Sequence, residues 1–270
     1  MPTIANYVQS IKLPVMPEAA MALIRTLNDD DADIVTVRDI IARDPALTAT
    51  LLRMANSAMF GLSRSVNTLD TAVSVIGMAQ IRARALSVCL AHTFSLQQHI
   101  DRIAFWNSCM KCAGYARWLA LILNMDENQA WLTGMLLRLG RILIVQHDPQ
   151  LTAALEALPW APGEQWERQR TLTGFDEGQI MSEVTARWDF PLPIVQALNT
   201  CARPTAGAGY TPLAAVLHLA ALLADHPSVS AQTLAEWPQD VVDRLQLDLA
   251  RVSTQVPDAT QFTDTTLLQG

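Results

Sequence analysis

Forty residues, from Arg43 to Arg82, constrain the fold more than any other part of the chain: RDPALTATLLRMANSAMFGLSRSVNTLDTAVSVIGMAQIR. Pro45 suits the first turn of a helix, where a missing N–H breaks no intrahelical bond. Asp44 before it can accept hydrogen bonds from the free N–H groups of that turn. Leu47, Leu51, Leu52, Met54 and Ala55 follow at helical spacing and make one apolar face. Gly61 suits a left-handed C-terminal cap, so this helix is expected to stop near it. After the polar turn SRSVN, Thr68 is placed to cap a second helix with Leu69, Ala72, Val73 and Ile76 inward. Gly77 ends it, and a third helix is expected from about Met78 to residue 98. Three apolar-faced helices in so short a stretch form a compact helical module, and strand-length runs of alternating β-branched residues are nearly absent elsewhere. The fold class is all-α.

The remaining sequence reads the same way. Residues 1–12 suggest a leading helix that packs back on the domain, and Pro17–Leu27 a helix with Ala20, Leu23, Ile24 and Leu27 inward. Thr36 with Asp39 resembles a capping box that opens a short helix ending near Arg43. Phe105–Leu123 is helical, and Asn128–Val145 is apolar on every side, the mark of a central buried helix. PWAPG at 159–163 is a rigid turn. GFDEGQIMSEVTARW is a helix entered through Gly174, and further helices are expected at 191–201 and 212–224. The stretch EWPQDVVDRLQLDLARVSTQV suggests two weaker helices before a tail of little periodicity. A break near QHIDR, residues 98–102, divides the chain. The expected organisation is an N-terminal helical half at 1–100, a second helical half at 101–226, and C-terminal helices and tail at 227–270.

Composition excludes some classes of function. Hydrophobic residues make up 50 % of the 270 and charged residues 17 %, with a formal net charge of −7 that argues against non-specific nucleic-acid binding. No apolar run is long enough for a membrane span. The N-terminal residues lack a basic start followed by an apolar core, so a cytoplasmic location is expected. The four cysteines, Cys89, Cys109, Cys112 and Cys201, lie in apolar helical contexts and read as reduced, buried thiols.

The strings RDPALTATLLRMANSAMFG and SVNTLDTAVSVIGMAQIR resemble the signature of HDOD domains, bacterial signalling domains related to HD-type phosphohydrolases. LPVMPEAAMALIRTLND at 13–29 resembles the opening of that domain. The likeness continues through LTGMLLRLGRILI (132–144), GFDEGQIMSEVTARWDFPLPIVQAL (174–198) and LAAVLHLAALLAD (213–225). It implies a multi-helix, HD-like bundle with an N-terminal helical subdomain. HD phosphohydrolases hold divalent metals with histidines and aspartates on helices, around an adjacent His-Asp pair. Here Leu137 and Arg138 stand where that pair would be. Leu cannot ligate a metal, and Arg is a permanent cation that would repel one. Asn107 and Ser108 fall near the first-histidine position, and Glu177 stands where relatives often have His. Of that set His218 remains, with Ala221 in place of the Asp that often follows. Arg138, Glu177 and His218 therefore mark a degenerate-site groove with no metal, no cofactor and no catalytic residue expected. His218 by itself reads as a buried or half-buried histidine held by one hydrogen bond.

Other chemistry is poorly supported. CMKC at 109–112 has redox spacing but lies inside a helix, without the strand-to-helix entry that lowers a thiol pKa. No phosphate-binding glycine loop is present. The resemblance implies a non-catalytic output or adaptor domain. It would act by binding signalling proteins of two-component or cyclic-dinucleotide systems, with a small ligand as a further effector. Homo-oligomerisation is left open. The alternatives are a residual phosphohydrolase acting on nucleotides or phosphate esters, and a nucleic-acid-binding regulator. The expected working surface is Arg53, Asn56, Phe60 and Arg64, where the signature is densest and five arginines between 43 and 84 face two aspartates in an acidic chain. Asn56 has a second reading, as a brace for the turn that follows it.

Overall fold

A computed structural model of the protein describes residues 3–56, 65–94, 96, 100–147, 149–150, 161–207 and 209–263. Among these residues there are fifteen α-helices, one short 3-10 helix and no strand, the all-α class expected. The chain divides into two compact units. The smaller takes residues 14–95 with 188–191, and the larger takes residues 1–13, 96–187 and 192–263.

The smaller unit contains α2 (Glu18–Leu27), α3 (Ile34–Ala42), α4 (Pro45–Ala55), α5 (Leu69–Ile76) and α6 (Met78–Thr93). Asp44 accepts from the Ala46 and Leu47 N–H groups at 3.0 Å, and Pro45 opens α4 as its first residue. Leu47, Leu51, Met54 and Ala55 are buried. Helix α4 closes at Ala55, earlier than the expected stop near Gly61, which lies outside the described residues. Asn56 ends it with its own amide, which donates to the Leu52 carbonyl at 2.7 Å. Thr68 caps α5 through the Thr71 N–H, and Gly77 (φ +94°) joins α5 to α6 as expected. Two boundaries differ. Helix α3 is capped by Asp33, which accepts from the Thr36 N–H at 2.7 Å, so Thr36 is a donor inside the first turn and not the cap. Helix α6 ends at Thr93, short of residue 98. The backbone turns extended at Phe94, whose ring is buried edge-on against Trp188 at 6.1 Å.

The larger unit contains α1 (Ile4–Ser10), α7 (Arg102–Ile122), α8 (Glu127–His147), α9 (Glu164–Thr173), α10 (Glu177–Arg187), α11 (Leu192–Thr200) and α12 (Pro212–Asp225). The short helices α13 (Ala231–Ala235), α14 (Gln239–Leu245) and α15 (Leu249–Ser253) and a 3-10 turn at Ala259–Phe262 follow. Helix α1 packs on α10, where Arg187 donates to the Ala5 carbonyl at 3.0 Å. Helix α8 is the axis of this unit, buried from Ala130 to Val145 except at Arg141, and it packs against α7, α10, α11 and α12. Two glycines on α8 set how closely its neighbours approach. A methyl at Gly134 would meet the Ala113 Cα of α7 at 2.9 Å, and one at Gly140 would collide with the Glu177 backbone carbonyl at the start of α10. Helices α9 and α13 have no counterpart in the periodicity. Helix α9, EQWERQRTLT, buries only Trp166 and Gln169, so it carries almost no apolar stripe. It is bounded by Gly163 and Gly174, both at left-handed φ, so Gly174 closes α9 and does not lead directly into α10. Among the described residues no single helix is long and apolar enough to cross a membrane.

Candidate functional site

Arg138, on the central helix α8, is 3 % exposed, and Glu177, first residue of α10, is fully buried. The Arg138 guanidinium donates from Nη1 to Glu177 Oε1 at 2.9 Å. From Nη2 it donates to Asp225 Oδ1 at 2.7 Å and to the Ala221 carbonyl at 3.0 Å. One cation is thus held between two carboxylates inside the protein. Burial works against the charged form of Arg138, but Asp225 and Glu177 outweigh it and hold the guanidinium pKa well above its ordinary value. Burial pushes the Glu177 carboxyl up, against the pull of Arg138. Local sequence places these groups. Asp176 and Gln179 form a reciprocal capping box at the start of α10, with the Gln179 N–H on Asp176 Oδ1 at 2.9 Å and the Asp176 N–H on Gln179 Oε1 at 3.2 Å. The Gln169 side chain takes the Glu177 N–H at 2.8 Å, and Gly140 leaves the room into which Glu177 fits.

The structure brings together two of the three groove residues, Arg138 and Glu177. Sequence reasoning missed the third member of that ion network, Asp225, having looked for the acid at the position of Ala221. A signal was available. An aspartate at the C-terminal end of an otherwise apolar helix opposes the helix dipole, and a nearby cation offsets that cost. Cys109, Cys112 and Cys201 are free and fully buried around this network. Burial pushes the Cys112 thiol up to about 12 and those of Cys109 and Cys201 well above the usual range, so none is a ready thiolate.

His218, on α12, is 9 % exposed and has no hydrogen bond to Arg138 or Glu177. Its Nδ1 lies 2.8 Å from the Cys201 carbonyl, the single hydrogen bond expected of it, and its ring stacks on Trp166 at 5.0 Å. A carbonyl only accepts, so Nδ1 carries the proton and Nε2 the lone pair. Burial lowers the His218 pKa, which favours this neutral form. The ring borders a cavity of about 350 Å³ in the larger unit, walled also by Trp166, Trp237, Arg203 and Glu236.

On the expected working surface, Arg53 is exposed and donates to Thr50 Oγ1 at 3.1 Å. Asn56 holds Val66 by both ends of its amide: Nδ2 donates to the Val66 carbonyl and Oδ1 accepts the Val66 N–H, each at 2.7 Å. These bonds brace the segment entering α5. Phe60 and Arg64 lie outside the described residues.

Solved structures share this architecture. A Shewanella amazonensis protein provisionally named a phosphohydrolase superposes with a TM-score of 0.79 at 23 % identity, over 98 % of this chain and 97 % of that one. An HDOD domain protein of unknown function from Geobacter sulfurreducens gives 0.74 at 19 % identity, over 98 % and 93 %. A Marinobacter aquaeolei VT8 protein provisionally named for signal transduction gives 0.74 at 20 %, over 100 % and 61 %. At these identities the likeness is one of fold. An uncharacterized Treponema pallidum (strain Nichols) protein is 22 % identical over 198 residues, 69 % of this chain but only 37 % of that protein's length. The HDOD domain family matches residues 13–204, the region that contains the smaller unit, the Arg138–Glu177 pair and the Cys201 carbonyl that holds His218. The chain belongs to the HDOD domain family.

Proposed function

We propose that this chain is a non-catalytic signal-transduction domain, an output or adaptor module of the cytoplasm that works by binding other signalling proteins. The observation that carries the reading is the Arg138 guanidinium bonded to Glu177 and Asp225. A permanent cation of the protein's own is already bonded to one oxygen of each of these two buried carboxylates. A divalent ion brought to the same place would meet that charge, with Leu137 beside it offering no lone pair. The family supports a signalling-associated role, and the exposed, arginine-bearing end of α4 supports the smaller unit as the binding surface.

Metal content and hydrolysis test the non-catalytic part. Protein purified without chelator and then incubated with Mn²⁺, Fe²⁺ or Zn²⁺ is expected to retain no stoichiometric metal after desalting, and to hydrolyse neither p-nitrophenyl phosphate nor a cyclic dinucleotide above the buffer rate. Stoichiometric metal that is lost on Glu177→Gln or Asp225→Asn, together with metal-dependent hydrolysis, would overturn it.

A further inference from the structure

The cavity beside His218 has a charge pattern that selects its ligand. Two guanidiniums border it, and both are already engaged. Arg170 donates to Asp176 at 2.5 Å and to Glu167 at 2.7 Å, and Arg203 pairs with the same Glu167. These bonds hold the Glu167 carboxyl down to about 2. The cavity's other carboxylate, Glu236, has a side chain 68 % exposed, with the His226 Nε2 3.9 Å from its Oε2, a weak contact. Arg170 and Arg203 are compensated by Glu167 and by Asp176, which does not line the cavity, so of the two lining carboxylates Glu236 is the one with no guanidinium partner among the described residues. His218 adds a second acceptor. With Nδ1 committed to the Cys201 carbonyl, Nε2 has no hydrogen-bond partner among the described residues. Between these acceptors the wall is aromatic, made by Trp166, stacked on His218, and by Trp237; both are at least nine-tenths buried.

From this juxtaposition we infer that the cavity binds a small organic ammonium ion with an apolar or aromatic body, its N–H donors shared between Glu236 at the exposed rim and His218 Nε2 at the buried wall. Tryptophan is the side chain best suited to hold such a cation against an aromatic surface. The volume of about 350 Å³ lies at the low end for small-molecule sites and admits a single ring with a short amine arm. The inference goes beyond protein binding by the smaller unit, since it concerns a different surface and a different class of ligand.

Three probes that share a phenethyl body and differ in their polar end separate charge from shape: 2-phenylethylamine, 2-phenylethanol and 3-phenylpropionate, titrated into the full chain by calorimetry and by tryptophan fluorescence. The amine is expected to bind saturably at submillimolar concentration, at least about tenfold more tightly than the alcohol or the acid, the size of a charge-assisted hydrogen bond. Glu236→Gln, an exposed position, is expected to weaken the amine about tenfold without lowering the melting temperature. His218→Asn retains an amide donor near the Cys201 carbonyl and removes the Nε2 acceptor, and is expected to weaken it too; if this variant fails to fold, Glu236→Gln decides. No saturable binding of the amine, stronger binding of the acid or alcohol, or unchanged affinity in a folded Glu236→Gln variant would overturn the proposal. None of these outcomes bears on metal content, hydrolysis or partner capture, which test the signalling reading separately.

Discussion

Arg138 has one positive charge and two buried carboxylates to satisfy, and the residues around it show which removal matters. Without the guanidinium, Glu177 and Asp225 lose the cation that is hydrogen-bonded to both of them in the interior. Arg138→Met is therefore expected to destabilise the protein by about 3–5 kcal/mol, read by urea unfolding, because an uncompensated buried charge is worse than none. Glu177→Gln is different: its amide can still accept from Arg138, and it leaves the cation paired one-to-one with Asp225. This variant is expected to match or exceed the parent in stability at neutral pH. The pH profile carries the sign. Burial raises the Glu177 pKa from its ordinary value of 4.5, with Arg138 and Arg141 opposing and Asp225 and Asp176 reinforcing. The folded state then holds this proton more tightly than the unfolded chain. As pH rises from about 4.5 through the raised native value, Glu177 accordingly makes folding less favourable. Unfolding free energies measured across that window should decline less in Glu177→Gln than in the parent. An equal decline would place the titration on another group. Of this network the sequence made Arg138 and Glu177 legible, as unusual residues where a resemblance led one to expect others. Asp225 was not legible by position, because its bond to Arg138 spans 87 residues and depends on how α12 packs against α8.

At the scale of elements, what the sequence reveals is what local chemistry decides. Asp44–Pro45 starts α4, Thr68 starts α5, Gly77 separates α5 from α6, and the apolar run around Leu137 is the buried axis α8. The misplacements have separate physical causes. Helix α9 is polar because it buries little, so periodicity is silent there and only its flanking glycines mark it. The end of α6 is set by where Phe94 finds Trp188, a contact between distant parts of the chain. The start of α3 had two acidic or hydroxyl candidates, and Asp33 wins because its carboxylate reaches the free N–H of Thr36. Close approach between helices is the other long-range property, and Gly140 makes it testable. Gly140→Ala puts a methyl against the Glu177 carbonyl, which belongs to backbone and cannot rotate away. Shifting α10 from α8 is expected to cost about 1–3 kcal/mol by chemical denaturation, although alanine has the higher helix propensity. A gain in stability from this substitution would mean that α8 and α10 do not meet closely at Gly140.

For the molecule as a whole, the uneven charge matters more than its total. The chain carries a formal −7, yet the stretch from Arg43 to Arg84 is locally positive. Some of that charge serves the fold. Arg82 donates to the Thr26 carbonyl at 2.6 Å, and Arg84 is buried. Arg53 is exposed, and among the described residues it donates only to Thr50 in its own helix, so its charge is available to a partner. Asn56 spends both ends of its amide on Val66 and Leu52 and so braces the segment that enters α5. Exposed charges of one sign act at a distance, so their removal shows first in association rate and salt dependence. If Arg64 is exposed as Arg53 is, reversing both to Glu is expected to change folding stability by no more than about 0.5 kcal/mol, as for surface substitutions. It is expected to weaken capture of acidic signalling partners, with the gap between variant and parent closing as salt rises. Partners are first identified by affinity capture with the parent chain, and the two proteins are then compared on those partners by surface plasmon resonance. If the variant unfolds, the arginines are structural. If it folds and binds with unchanged rate and unchanged salt dependence, the end of α4 is not the recognition surface. In the expected case, association slows at low salt while dissociation changes little. That outcome would show an acidic protein using a local positive field to select equally acidic partners.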